Sequence, residues 1–258
     1  MVGMISSTSS STTSTPNKNK ADTIQDIMTK SSGIKSNADY QKMKKEPKQK
    51  VNKIELIQTG YLHLIDINTR HSHHQPFNND PDSPPYSIEG TFCHLEWSKH
   101  KKDPSAVPMF KYLQKESPAC HGTMTNVDLY TAVTEARLYD NDRQNTNSIK
   151  SLSPKGFVFH ESRCGSTLVA NSLAAFDPAK NRVYSESGPP VAAAHAYDDS
   201  YEKESIQLLQ DVIYLMGRTD DLKEDNLFFK IQSIASKSIG VFRKGTCVRM
   251  FEYSSLPL

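Results

Sequence analysis

The segment Phe157-Val-Phe-His-Glu-Ser-Arg-Cys-Gly-Ser-Thr-Leu-Val-Ala-Asn171 holds the residues best placed to do chemistry. A short apolar run ends, a small polar turn containing Gly165 follows, and a helix-forming stretch begins near Ser166. The first N–H groups of a helix have no partner within the helix, and together with the helix dipole they make an anion site. Gly165 lets the backbone approach a phosphate or sulfate closely. Ser166 and Thr167 add hydroxyl donors, and Arg163 adds a permanent charge on a forked donor array. Cys164, in the same turn, reads as a small loop residue rather than a nucleophile. The loop departs from G-x-x-x-x-G-K-[ST]: His160 stands at the first Gly position and Ser166 at the Lys position. Hydrolysis of a nucleoside triphosphate is disfavoured without that Lys.

The elements that must position this loop are legible around it. Phe157-Val158-Phe159 is a continuous apolar run of the kind that forms a buried parallel strand. Leu168–Ala175 reads as a helix, Val183-Tyr184 as a second short strand, and Leu227-Phe-Phe-Lys-Ile231 as a third. Between the last two, Ile206, Leu209, Val212, Ile213 and Met216 fall at helical spacing, predicting a helix over Glu202–Gly217. Strand, helix, strand, helix, strand is the pattern of an α/β parallel sheet. Upstream, structure is expected to begin at Lys53, with a strand in Gly60–Ile67 and a strand or hairpin in Ser87–Trp97. A short helix is expected in Pro108–Lys115 and a helix in Val127–Leu138, capped by Asn126. His71–Pro85 reads as a loop; its His71, His73 and His74 lack the fixed spacing that metal ligation favours.

Arg163-x-Gly-Ser-Thr-Leu after a buried strand resembles the 5′-phosphosulfate-binding loop of the sulfotransferase family. Val183-Tyr-Ser-Glu-Ser-Gly-Pro-Pro190 and Leu227-Phe-Phe-Lys-Ile-Gln-Ser233 follow in the order of that family's next core segments, so the resemblance covers roughly residues 152–240. It implies a P-loop-like parallel sheet flanked by helices, the co-substrate 3′-phosphoadenylyl sulfate, and no metal. It implies transfer of a sulfuryl group to a hydroxyl or amine on a glycan, a lipid, a peptide or a metabolite. Arg163 would stabilise charge on the leaving oxygen, Cys164, Gly165, Ser166 and Thr167 would hold the 5′-phosphate, and Glu186 would be the general base. His160 and His195 are the other candidates for that base. The family's later Arg-Asp-Pro turn, which serves the 3′-phosphate, has no counterpart here; Arg249 and Ser254 could stand in for its Arg and Ser. The sheet is accordingly expected to be incomplete at the C-terminus. Two alternatives remain: a non-catalytic nucleotide-binding or interaction protein, and a phosphotransferase reusing the loop.

Composition sets the frame. The chain has 258 residues and a net charge of +2, which makes no case for nucleic acid. Residues 1–50 carry nine Lys against four acids, and ten of the first fifteen residues are Ser or Thr. Such a segment is expected to be a disordered tail. Residues 51–150 match no family pattern and read as an N-terminal elaboration of the domain at 151–258. No run of about 18 apolar residues is present, so no membrane span is expected. Cys93, Cys120, Cys164 and Cys247 form no CxxC pair and are expected to be reduced thiols. The compartment stays open: cytoplasmic as the sequence stands, Golgi if an anchor precedes it.

Overall fold

The computed structural model describes residues 52–69, 84–142, 149–161, 164–197, 199–246 and 250–253. The tail expected over 1–50, the three histidines of the 71–85 loop, Arg163, Cys247, Arg249 and Ser254 lie outside the described residues. Residues 51–258 form one compact unit. It is a mixed α/β structure with eight α-helices among the described residues and three small sheets.

The chain enters through a one-and-a-half-turn helix, α1 (Lys53–Gln58), started by the Asn52 side chain, which accepts from the Ile54 amide. Strands β1 (His63–Asn68) and β2 (Glu89–Cys93) then pair antiparallel. Of the strand or hairpin expected in Ser87–Trp97, the strand is found as β2, and Trp97 begins helix α2 (Trp97–Lys102). Helix α3 (Phe110–Glu116) and a 3-10 turn at Pro118–His121 lead to β3 (Thr125–Asp128), which completes the antiparallel sheet against β2. The expected Asn126 cap is displaced: Asn126 and Val127 belong to β3, and Asp128 caps α4 (Leu129–Asn141) by accepting from the Thr131 amide at 2.8 Å.

The cysteine expectation is also corrected. Cys93 at the end of β2 and Cys120 in the 3-10 turn are joined by a disulfide. The two lie 27 residues apart in sequence, and β2 and the turn bring them together. Among the described residues Cys164 is the free cysteine.

A two-residue strand β4 (Lys150–Ser151) precedes the segment that matters most. Strand β5 (Pro154–His160) and helix α5 (Ser166–Phe176) come next. Strand β6 (Asn181–Ser185), helix α6 (Gly188–Ala194) and the long helix α7 (Glu202–Met216) follow. Then come β7 (Arg218–Thr219), which pairs with β4, strand β8 (Asn226–Lys230), helix α8 (Ile239–Thr246) and β9 (Met250–Tyr253). Strands β6, β8, β5 and β9 lie side by side in that order, and every pair is parallel.

That order has a consequence for ligands. The chain leaving β5 travels to β6, beyond β8, whereas the chain leaving β8 travels to β9, beyond β5. The connections from two adjacent strands therefore depart in opposite directions, which opens a crevice at the carboxyl ends of β5 and β8.

Each face of the sheet is filled differently. Tyr184, Phe229 and Phe157 lie in register across β6, β8 and β5, with rings stacked at 5.2 and 5.4 Å. Phe242 of α8 abuts Phe157 edge-on, and Trp97 and Phe110 abut Tyr184. This face merges with Leu64, Phe92 and Leu129 of the N-terminal elements into one core. The opposite face packs only Ala170, Leu173 and Ala174 of α5 on Val183 and Phe228. Because neighbours on a strand alternate, Lys230 lies on this second face.

Candidate functional site

The site forms where β5, β6 and β8 end. Gly165 adopts φ +83°, the left-handed region that costs other residues strain, and it turns the chain into α5. Gly165 stands at the N-cap and has no side chain to cap the first turn of α5. Thr167 lies in that first turn, and Ser166 beside it is buried. Cys164 is half-buried.

Lys230, the last residue of β8, is 1% exposed, and its ammonium group donates to Thr167 Oγ1 at 3.2 Å. The same Nζ forms an ion pair with Oε1 of Glu186. The loop that lacks a lysine of its own thus receives one from the adjacent strand. Sequence reasoning missed Lys230 as a site residue, although a charge at the end of the apolar run Leu227–Ile231 was the available signal, because a buried ammonium needs a partner.

Glu186 is held in place tightly. It has φ +59°, the single non-glycine residue with positive φ among the described residues. Its amide donates to the Lys230 carbonyl at 2.7 Å, and Gln232 Nε2 donates to its carbonyl at 3.1 Å. Backbone strain of this kind persists where surrounding bonds impose it, and it concentrates at functional positions. Its side chain keeps 26% exposure and lines a cleft of about 1170 Å³.

His160 ends β5 and is buried. Its Nδ1 lies 2.8 Å from the Glu161 carbonyl. A carbonyl only accepts, so Nδ1–H is the donor. That Nε2 sits 3.9 Å from Glu186 Oε1. The structure therefore brings together Thr167, Lys230, Glu186 and His160. It does not bring in His195, which is exposed and bonded to Ser238 Oγ at 2.5 Å.

A second polar cluster lies on the other side of the sheet. Arg182 and Glu224, both buried, pair at 2.5 Å, and Glu224 also meets Lys101 at 2.8 Å. The Arg182 guanidinium lies over the Trp97 ring at 5.0 Å and donates to the Arg218 carbonyl. Its acids and bases are matched internally, which marks it as a structural brace.

No group of three or more His, Cys, Asp or Glu among the described residues could hold a metal ion. No helix of the described residues is long and apolar enough to cross a membrane. Comparison with protein-family models, with curated proteins and with solved structures finds no match for this chain.

Proposed function

We propose that the chain is a sulfotransferase that uses 3′-phosphoadenylyl sulfate and delivers the sulfuryl group to a hydroxyl or amine at Glu186. The observation that carries this reading is the position of Lys230, between Thr167 on the phosphate-loop side and Glu186 on the cleft side. One ammonium group thereby links the place for a donor phosphate to the place for an acceptor. A four-stranded parallel sheet supports the reading: the loop follows β5, beside β8, where connections from adjacent strands depart in opposite directions.

In this reading the 5′-phosphate rests on the first-turn N–H groups of α5 and on the hydroxyls of Ser166 and Thr167. The acceptor oxygen attacks sulfur in line. The new O–S bond forms as the bond from sulfur to the bridging phosphate oxygen breaks. Charge grows on that leaving oxygen, where Arg163 and Lys230 supply fixed positive groups; one such donor is worth roughly 10²–10³ in rate. The acceptor proton passes to the Glu186 carboxylate, the member of the cluster that lines the cleft. His160 Nε2 stands 3.9 Å from that carboxylate, beyond hydrogen-bond distance.

The test is a transfer assay with radiolabelled 3′-phosphoadenylyl sulfate and a panel of hydroxyl acceptors, run in excess chelator. Label moved to an acceptor, lost in Glu186→Gln and Lys230→Met, is expected. Phosphoryl transfer from ATP with strict magnesium dependence would replace this reading with a phosphotransferase.

A further inference from the structure

The cleft that Glu186 enters is walled by the other half of the unit: β1, β2, α3, the 3-10 turn and β3 all contribute to it. Its volume, about 1170 Å³, exceeds what a single small ligand fills, which suits an extended chain. Its charge is uneven. Lys53, Lys111 and Lys115 line it, and none of the three takes part in an ion pair among the described residues. Of the described lysines outside the cleft, Lys99, Lys101, Lys150, Lys180 and Lys244 are paired with a carboxylate, and Lys102, Lys155, Lys203, Lys223 and Lys237 are not. Against these three ammonium groups, of which that of Lys111 lies over the Tyr112 ring at 5.1 Å, stand Asp66 and Glu186, and Glu186 is already matched by Lys230. The cleft therefore presents a net positive field to an incoming chain.

We infer that this cleft binds an anionic, polyhydroxylated sugar chain, such as an oligomer of uronic acids, and offers one of its hydroxyls to Glu186. The inference rests on the sulfotransferase reading and names its acceptor class. Between the charges the walls carry amides and hydroxyls, among them Gln114, Asn126 and Gln232, groups that hydrogen-bond sugar hydroxyls in either direction. Nucleic acid fits poorly. Phe110 is the one aromatic ring besides His121 in the described lining, and it is 4% exposed, so no stacking platform for bases exists there. The cationic wall is also held rigidly: the Cys93–Cys120 disulfide ties β2 to the turn that follows α3, the helix carrying Lys111 and Lys115.

The experiment measures binding of fluorescent oligogalacturonate to the full chain, beside a neutral dextrin of equal length and an acidic polyglutamate peptide. Adenosine 3′,5′-bisphosphate binding is measured on the same sample. Expected is binding of the oligogalacturonate that weakens steeply with salt, exceeds both controls, and falls at least tenfold in the Lys111→Glu/Lys115→Glu variant. Both lysines are exposed, so the fold should survive the double substitution, and circular dichroism checks this. A chain that binds the nucleotide but not the oligogalacturonate overturns the acceptor assignment alone. Equal binding of polyglutamate, or undiminished binding in the double variant, overturns it too. Binding of the oligogalacturonate without the nucleotide supports the cationic cleft and sinks the donor assignment instead.

Discussion

Lys230 ends β8, Glu186 directly follows the neighbouring parallel strand β6, and the two are bound to each other twice, by an ion pair between side chains and by a backbone hydrogen bond of 2.7 Å. The two partners are unequally sheltered, at 1% and 26% exposure of the side chain. Removing either one should therefore have unequal results. Glu186→Ala strands a buried ammonium group, at a cost on the order of 3 kcal/mol. Lys230→Met leaves a carboxylate that water can reach, and should cost clearly less. Urea denaturation of both variants checks the order; equal losses would mean the pair is not buried as described.

The disulfide gives a second expectation. Closing a loop of this size restricts the unfolded chain by roughly 3 kcal/mol, and the bridge joins Cys93 to Cys120 across 27 residues. Cys120→Ser, or reduction of the wild type, should lower the melting temperature by several degrees. A Cys120→Ser chain that melts with the wild type under oxidising conditions would show that the bridge does not form.

Acid should loosen the N-terminal half through its buried imidazoles. Burial, then the nearby Arg182 and His94 charges, holds His63 well below its ordinary value. Burial, then Lys101, lowers His100 to about 4. Between the unfolded value near 6.5 and these lower folded values, the unfolded chain binds protons that the native chain does not. Stability is thus full above about pH 6.5 and falls as the pH drops, by about 1.4 kcal/mol per unit for each histidine. Urea midpoints between pH 7 and 5 should show this slope, and His100→Gln should flatten it. A wild type equally stable at both ends of that range would contradict the buried neutral histidines.

Local chemistry explains which parts of the molecule the sequence disclosed. Phe157–Phe159 announces a parallel strand because a strand covered on both faces needs a continuous apolar run, and β5 is that strand. Glu186 was named through the resemblance of Val183–Pro190 to a sulfotransferase segment. Lys230 was not, since its importance comes from strand order: only the placement of β8 beside β5 brings its ammonium group to Thr167. The Cys93–Cys120 pairing was hidden for the same reason, resting on the packing of a turn against a strand that spacing alone does not encode. At α4 Asn126 and Asp128, two positions apart, could both cap, and Asp128 won because Asn126 is consumed by pairing with Thr91 in the sheet.

The most direct test of the central claim is the thermal shift of the full chain with adenosine 3′,5′-bisphosphate, the product nucleotide of the proposed reaction. At about 100 times its dissociation constant the ligand should add roughly 2.7 kcal/mol to the folded state. The shift should shrink in Arg163→Ala and in Lys230→Met, each compared with its own ligand-free melt. A cooperative wild-type melt that millimolar nucleotide does not move, or a full shift retained in both variants, would contradict a phosphosulfate site built on this loop and this lysine.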